Sequence, residues 1–178
     1  MVSIKFEEVL FSDKVPLRVY MYSLGYIEPH WHKTTELIMV LEGNLSVSVE
    51  NKTYTLGPTD IILINSGAPH ELHSENSVIV SIQLNLSEIN HFEEKLENIR
   101  FECNSTTSSH PELFDGIRFA FAVLIRQNLW NPQYIDYQNY SICYYLIADL
   151  LRYFQYEPVD IRDKSNLKSI HISKILNY

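Results

Sequence analysis

The sequence predicts a mainly β chain with a helical tail: an antiparallel sandwich or barrel followed by a two-helix hairpin. Three observations predict it. Short apolar segments separated by turn signals fill the first part of the chain. Four of the five glycines (Gly25, Gly43, Gly57 and Gly67) lie among the first 67 residues. Beyond residue 108 the apolar residues switch to helical spacing.

Residues 45–50 (Leu-Ser-Val-Ser-Val-Glu) alternate strictly, so one face of a strand is apolar and the other polar. Residues 17–22 and 77–82 alternate less cleanly and are read the same way. Glu42-Gly43-Asn44 and Glu50-Asn51-Lys52 have the composition of hairpin turns, and Gly57-Pro58-Thr59-Asp60 is a turn ahead of a strand over 61–64. The barrel is therefore assigned to residues 1–107.

Residues 108–157 are assigned to the hairpin. Ser109-His110-Pro111-Glu112 has the pattern of a capping box, and Leu113, Ile117, Phe121, Leu124 and Ile125 recur at helical spacing. Asn131-Pro132 breaks the run, and a second helix is expected over 134–156. That helix carries two apolar stripes. One is Ile135, Ile142, Leu146, Leu150 and Tyr153; the other is Cys143, Tyr144, Ile147, Leu151 and Phe154. One stripe suffices to dock on the barrel. The second predicts a homodimer, with Tyr144, Ile147, Leu151 and Phe154 at the interface. Residues 158–178 read as a charged linker and the start of a further amphipathic helix, as in a chain cut short.

The chain has 178 residues, 46% hydrophobic and 20% charged, enough for one packed domain with an appendage. A net charge of −8 makes it a poor phosphate binder, since nucleic-acid affinity rests on neutralising phosphates with Lys and Arg. Two cysteines, Cys103 and Cys143, are too few for a disulfide framework or a cysteine-based zinc site. No apolar run approaches the ~18 residues of a membrane helix, and a cytoplasmic location is expected.

Chemistry is concentrated in His30-Trp31-His32, followed by Glu36 and, downstream, His70. Residues two apart on a strand share a face, so His30, His32 and Glu36 project together, and the glycine-punctuated hairpins return His70 to them. Three imidazoles and a carboxylate suit Zn, Ni, Fe, Mn or Cu. The same groups can also line a pocket by hydrogen bonding, with no metal. Tyr20, Tyr22 and Trp31 are candidates to stack on a flat ligand such as a sugar. His73, His91, His110 and His171 have no partner at ligand spacing and are expected on the surface.

Gly25 with His30-x-His32-xxx-Glu36-xxxxxx-Gly43 resembles the first cupin motif, and the stretch from Gly57 to His70 resembles the second. The spacer after Gly25 is four residues where five is usual, Asn65-Ser66-Gly67 stands for Pro-x-Gly, and Ser74 replaces a closing Asn. The string from Pro29 to Gly43 (Pro-His-Trp-His-Lys-Thr-Thr-Glu-Leu-Ile-Met-Val-Leu-Glu-Gly), with Leu63-Ile-Asn-Ser-Gly-Ala-Pro-His-Glu71, is similar to the amino-terminal effector domain of AraC-family transcription regulators. The resemblance implies a cupin-like double-stranded β-barrel, a dimerisation hairpin, and the first helix of a helix-turn-helix domain at 166–178. It further implies a small-molecule effector, carbohydrate-like among the options, near His30, His32, Glu36, His70, Tyr20, Tyr22 and Trp31. DNA contact would come only through a domain absent from this chain. Such a sensor is not an enzyme and calls for no cofactor, although the His/Glu set could hold Zn, Ni, Fe or Mn. The competing expectation is a metal-dependent cupin enzyme, a dioxygenase or isomerase.

Overall fold

The computed structural model of the chain describes residues 4–11, 15–89 and 96–158. Residues 159–178, with nearly all of the expected linker and helix start, lie outside the described residues, as do His91 and His171. Seven strands make one sheet: β1 (Lys5–Phe6), β2 (Leu17–Trp31), β3 (Thr35–Glu42), β4 (Leu45–Val49), β5 (Lys52–Leu56), β6 (Ile61–Ile64) and β7 (His70–Leu84). The order is β1-β2-β7-β3-β6, with β4 between β5 and β7.

Strand β7 organises the rest. One edge runs antiparallel to β2 along most of its length, while the other edge pairs first with β4 and then with β3. The connection from β3 to β4 passes the backbone of β7 where the partner changes. Gly43 sits there at φ +79°, and a Cβ on it would meet Asn76 O at 2.4 Å. Only glycine fits both the conformation and the space. The β4–β5 hairpin turns through Glu50 and Asn51, both at positive φ (49° and 66°), as the favoured two-residue turn requires.

The sheet has two buried faces. Ile38, Val40, Ile62, Ile64 and Ile79 point inward to Leu24, Leu45, Val47, Leu56 and Leu72. Their neighbours Leu37, Met39, Ile61, Leu63, Val80 and Ile82 join the core that holds the helices. Burial on both sides explains why residues 61–64 are all apolar and do not alternate. The helices are α1 (Asp115–Trp130) and α2 (Ile135–Tyr153), joined by a short turn in which Asn131 adopts φ 41° and donates its N–H to Gln127 O. Ile117, Phe121 and Leu124 of α1 and Cys143, Leu146, Ile147 and Leu150 of α2 are buried in that outer core.

Several sequence expectations are corrected. The sheet is not a closed barrel: β5 pairs only with β4, and β6 pairs with β3 and through a single bridge from Ile62 to Asn104, so among the described residues no ladder joins β5 to β6. β2 and β7 are 15-residue strands, with register shifts in β2 near Gly25 and before His30, where shorter strands were expected. The capping box does not form. His110 starts a short 3-10 turn over Pro111–Phe114, without side-chain capping, and Asp115 opens α1. Helix α2 stops at Tyr153 because the following residues, Gln155–Pro158 (β9), pair with Ile99–Glu102 (β8), and that ladder takes the backbone hydrogen bonds.

The second stripe of α2 is not open to a partner. Ile147 and Phe154 are buried in the chain's own core, and Tyr144 and Leu151 pack against it. Helix α1 as well as the sheet packs on α2 and covers the remainder of its broad apolar face. Exposed aromatics lie elsewhere, at Phe119, Trp130, Tyr134, Tyr137 and Tyr145.

Candidate histidine and glutamate site

His30 lies near the end of β2 and pairs directly with His70 at the start of β7. His32 follows one residue past β2, and Glu36 is the second residue of β3. Parity and hairpin return therefore work as the sequence indicated, and all four expected residues meet. The His30 and His70 rings are 4.1 Å apart at their centroids, His32 and His70 4.9 Å, and His30 and His32 5.9 Å. One ring nitrogen from each histidine lies within 4.8 Å of the others.

The orientation of the rings is fixed from behind. His30 Nδ1–H donates to Glu28 O at 2.9 Å, His70 Nδ1–H to Ala68 O at 2.9 Å, and His32 Nδ1–H to the carbonyl and hydroxyl of Thr34 at 3.1 and 2.8 Å. The Thr34 hydroxyl passes its own proton to Gln83 Oε1. Three carbonyl-anchored imidazoles present Nε2 to the centre, which is how metal-ligating histidines are held. Glu36 Oε2 lies 3.1 Å from His32 Nε2 and 3.3 Å from His70 Nε2, and its other oxygen accepts from Ser81.

The site is sheltered. His32, His70 and Glu36 are almost entirely buried, and His30 is the most exposed of the four at 8%. Burial opposes charge on Glu36, but the hydrogen bond from His32 and the nearby His70 ring outweigh it and hold the carboxyl below its ordinary range. Burial likewise opposes charge on His32, and the bond to Glu36 overcomes it, raising that imidazole. His30 goes the other way: burial and the neighbouring His70 lower it despite the Glu28 carbonyl and Glu7.

The residues present fit a divalent ion. Three neutral-capable nitrogens and one anionic oxygen are gathered in a buried site, and His70 Nε2, though near Glu36, is buried with no aligned hydrogen-bond partner.

Of the other candidates, Tyr20 and Tyr22 sit opposite Ser81 and Ile79 and so share the inner face. Tyr22 is close enough to Glu36 and Glu7 for their charges to add to burial in raising its phenol. Trp31 does not line the site. It has the opposite parity to His30 and His32 and packs on Phe6, ring centroids 4.8 Å apart. His73 and His110 are exposed, as expected. Burial alone raises both thiols, Cys143 to about 12, so neither is a ready nucleophile.

Sequence reasoning missed Thr34, Ser81, Gln83 and Glu7. Ser81 and Gln83 left a signal, since polar residues alternate with Val80, Ile82 and Leu84 on a strand that is buried on both faces. Thr34 and Glu7 left none. A cavity of about 740 Å³ lies apart from the histidines at the open β5–β6 seam, lined by Tyr54, Ile62, Asn65, Ala68, Arg100 and Phe101 among others.

Residues 20–83 match the family model of the cupin domain, Cupin_2. No curated protein sequence matches the chain. Among solved structures, the chain is similar to a conserved protein of unknown function from Streptococcus pyogenes, at 18% identity over 46% of this chain and 79% of that one, TM-score 0.39. A cupin-2 domain protein from Shewanella frigidimarina is 21% identical over 44% and 85%, TM-score 0.37. The polyketide cyclase RemF from Streptomyces resistomycificus is 21% identical over 38% and 54%, TM-score 0.36. The family match spans β3 to β6 and most of β2 and β7, and all four residues of the cluster fall inside it.

Proposed function

We propose that the chain is the ligand-sensing and dimerisation part of an AraC-type transcription regulator, with DNA contact made by a separate domain. The observation that supports this reading is the two-sided use of β3 and β7. Glu36, Ser81 and Gln83 face the cluster, while Leu37, Met39, Val80 and Ile82 on the same strands bear on α1 and α2. A change at the cluster is thus felt one residue away in the packing of the hairpin. The cleft at the open seam offers the volume a small effector needs, and Ile62 and Ala68 on its wall belong to the inner core. Dimerisation would use the exposed aromatics of the hairpin, Phe119, Tyr137 and Tyr145, since the buried stripe is already occupied.

We also propose that His30, His32, His70 and Glu36 hold a divalent ion, Zn, Ni, Fe or Mn. A bound ion would supply Lewis acidity and a fixed positive charge. The chain's own part is to orient the imidazoles through Glu28, Thr34 and Ala68 and to keep water out. The convergent donor set also supports the second reading, a metal-dependent cupin enzyme.

One experiment separates the two. The protein is titrated with a panel of sugars and other small polar metabolites in a Trp31→Phe background, following Trp130 emission, with NMR of the small molecule in the same sample. Saturable binding that moves Trp130 and returns the ligand unchanged supports the sensor. Steady consumption of a panel compound overturns it in favour of the enzyme.

A further inference from the structure

We propose that Glu7, on the amino-terminal arm, is an additional ligand of the histidine centre, so that filling the centre adds a bond that holds the arm in place. The inference rests on the reading that the centre holds a divalent ion. The arm is placed by four contacts. Strand β1 pairs in parallel with His30 and Trp31, Lys5 Nζ meets Glu28 Oε2 at 2.6 Å, Phe6 packs on Trp31, and Glu7 N–H donates to Trp31 O at 2.9 Å. Together they bring Glu7 Oε2 to 3.2 Å from His30 Nε2.

That contact is informative because the other side of the ring is spent. His30 Nδ1–H already donates to Glu28 O, so Nε2 of a neutral imidazole has only a lone pair to show a carboxylate. Two acceptors face each other, and a positive centre belongs between them: a proton on the ring or a metal ion. The separation suits an ion. Ligands bonded at about 2.0–2.2 Å with angles of about 90–110° sit about 2.8–3.6 Å apart. The same spacing recurs on the far side of the cluster, where Glu36 Oε2 is 3.1 and 3.3 Å from His32 and His70. Two carboxylates therefore flank the imidazoles. Glu36 is buried, whereas the Glu7 side chain is 56% exposed and reaches the most open of the three rings. An arm whose strand is only two residues long gains a further point of attachment from one ligand bond.

The test uses Co²⁺, whose visible absorption reports its ligands, and Trp31 emission in a Trp130→Phe background. Four proteins are compared in that background: the parent, Glu7→Gln, the neighbouring arm control Glu8→Gln, and His32→Ala. The parent and Glu8→Gln should bind Co²⁺ alike, with a blue shift of Trp31 as the arm closes over it. Glu7→Gln should bind about 10- to 100-fold more weakly, with altered visible bands and no Trp31 response. Equal affinity, unchanged bands and an intact Trp31 response in Glu7→Gln would overturn the role of Glu7 and leave the centre standing. Failure of the parent to bind Co²⁺, or full binding by His32→Ala, would overturn the centre itself.

Discussion

The two faces of the central strands solve different problems. Outward, Leu37, Met39, Val80 and Ile82 meet Phe121, Leu124 and Leu146 in an all-apolar core where shape alone matters. Inward at one end, the same strands carry Glu36, Ser81 and Gln83, buried beside His30, His32 and His70, where every donor needs an acceptor. The first face stabilises. The second costs stability unless its hydrogen bonds are complete. Because alternate residues of one strand serve both, neither face can shift without the other.

Substitutions on the two faces should differ in kind. Phe121→Ala empties a fully buried position of the outer core and should cost about 3–5 kcal/mol in denaturant unfolding, a larger effect than any it has on Co²⁺ affinity. Glu36→Gln keeps the shape but leaves His32 without its charged partner. A loss of about 1–3 kcal/mol is expected, together with loss of metal affinity. The same variant should change the pH profile. The folded Glu36 carboxyl is held below its ordinary value of 4.5, so its contribution is fully present above that pH and is lost as pH falls through the folded value. The acid limb of a stability–pH curve for the metal-free protein should therefore be shallower in Glu36→Gln. An unchanged limb would mean that another group governs it.

The smallest effect is expected at the surface. Tyr137→Glu, at an exposed position of α2, should alter unfolding by less than about 0.5 kcal/mol yet weaken self-association in sedimentation. Ile147→Glu, one of the residues first expected at a dimer interface, should instead unfold the monomer, because it places a charge in the outer core. A well-folded Ile147→Glu protein would return that stripe to the surface.

What the sequence displayed and what it concealed follow the same division. Inner-face features are local: the parity of His30, His32 and Glu36, the alternation over 45–49, and the turn at Glu50-Asn51 are all set by residues a few positions apart. Each was legible. Features set by distant partners were not. Residues 155–158 leave the helix because 99–102 lie beside them, and Ile147 is buried because α1 lies across α2. Trp31 was misplaced for another reason: its aromatic character drew attention, while its parity already turned it away from the histidines. Glu7 is joined to His30 only through a parallel pairing that no local pattern encodes.

The central claim is that the cluster and the hairpin respond as one unit through the shared strands. Amide hydrogen exchange with and without saturating Co²⁺ tests it most directly. The account predicts slower exchange on binding not only around His30, His32 and His70 but also across 37–40 of β3 and 117–124 of α1. Protection confined to the residues beside the histidines, with α1 and α2 exchanging as before, would contradict it.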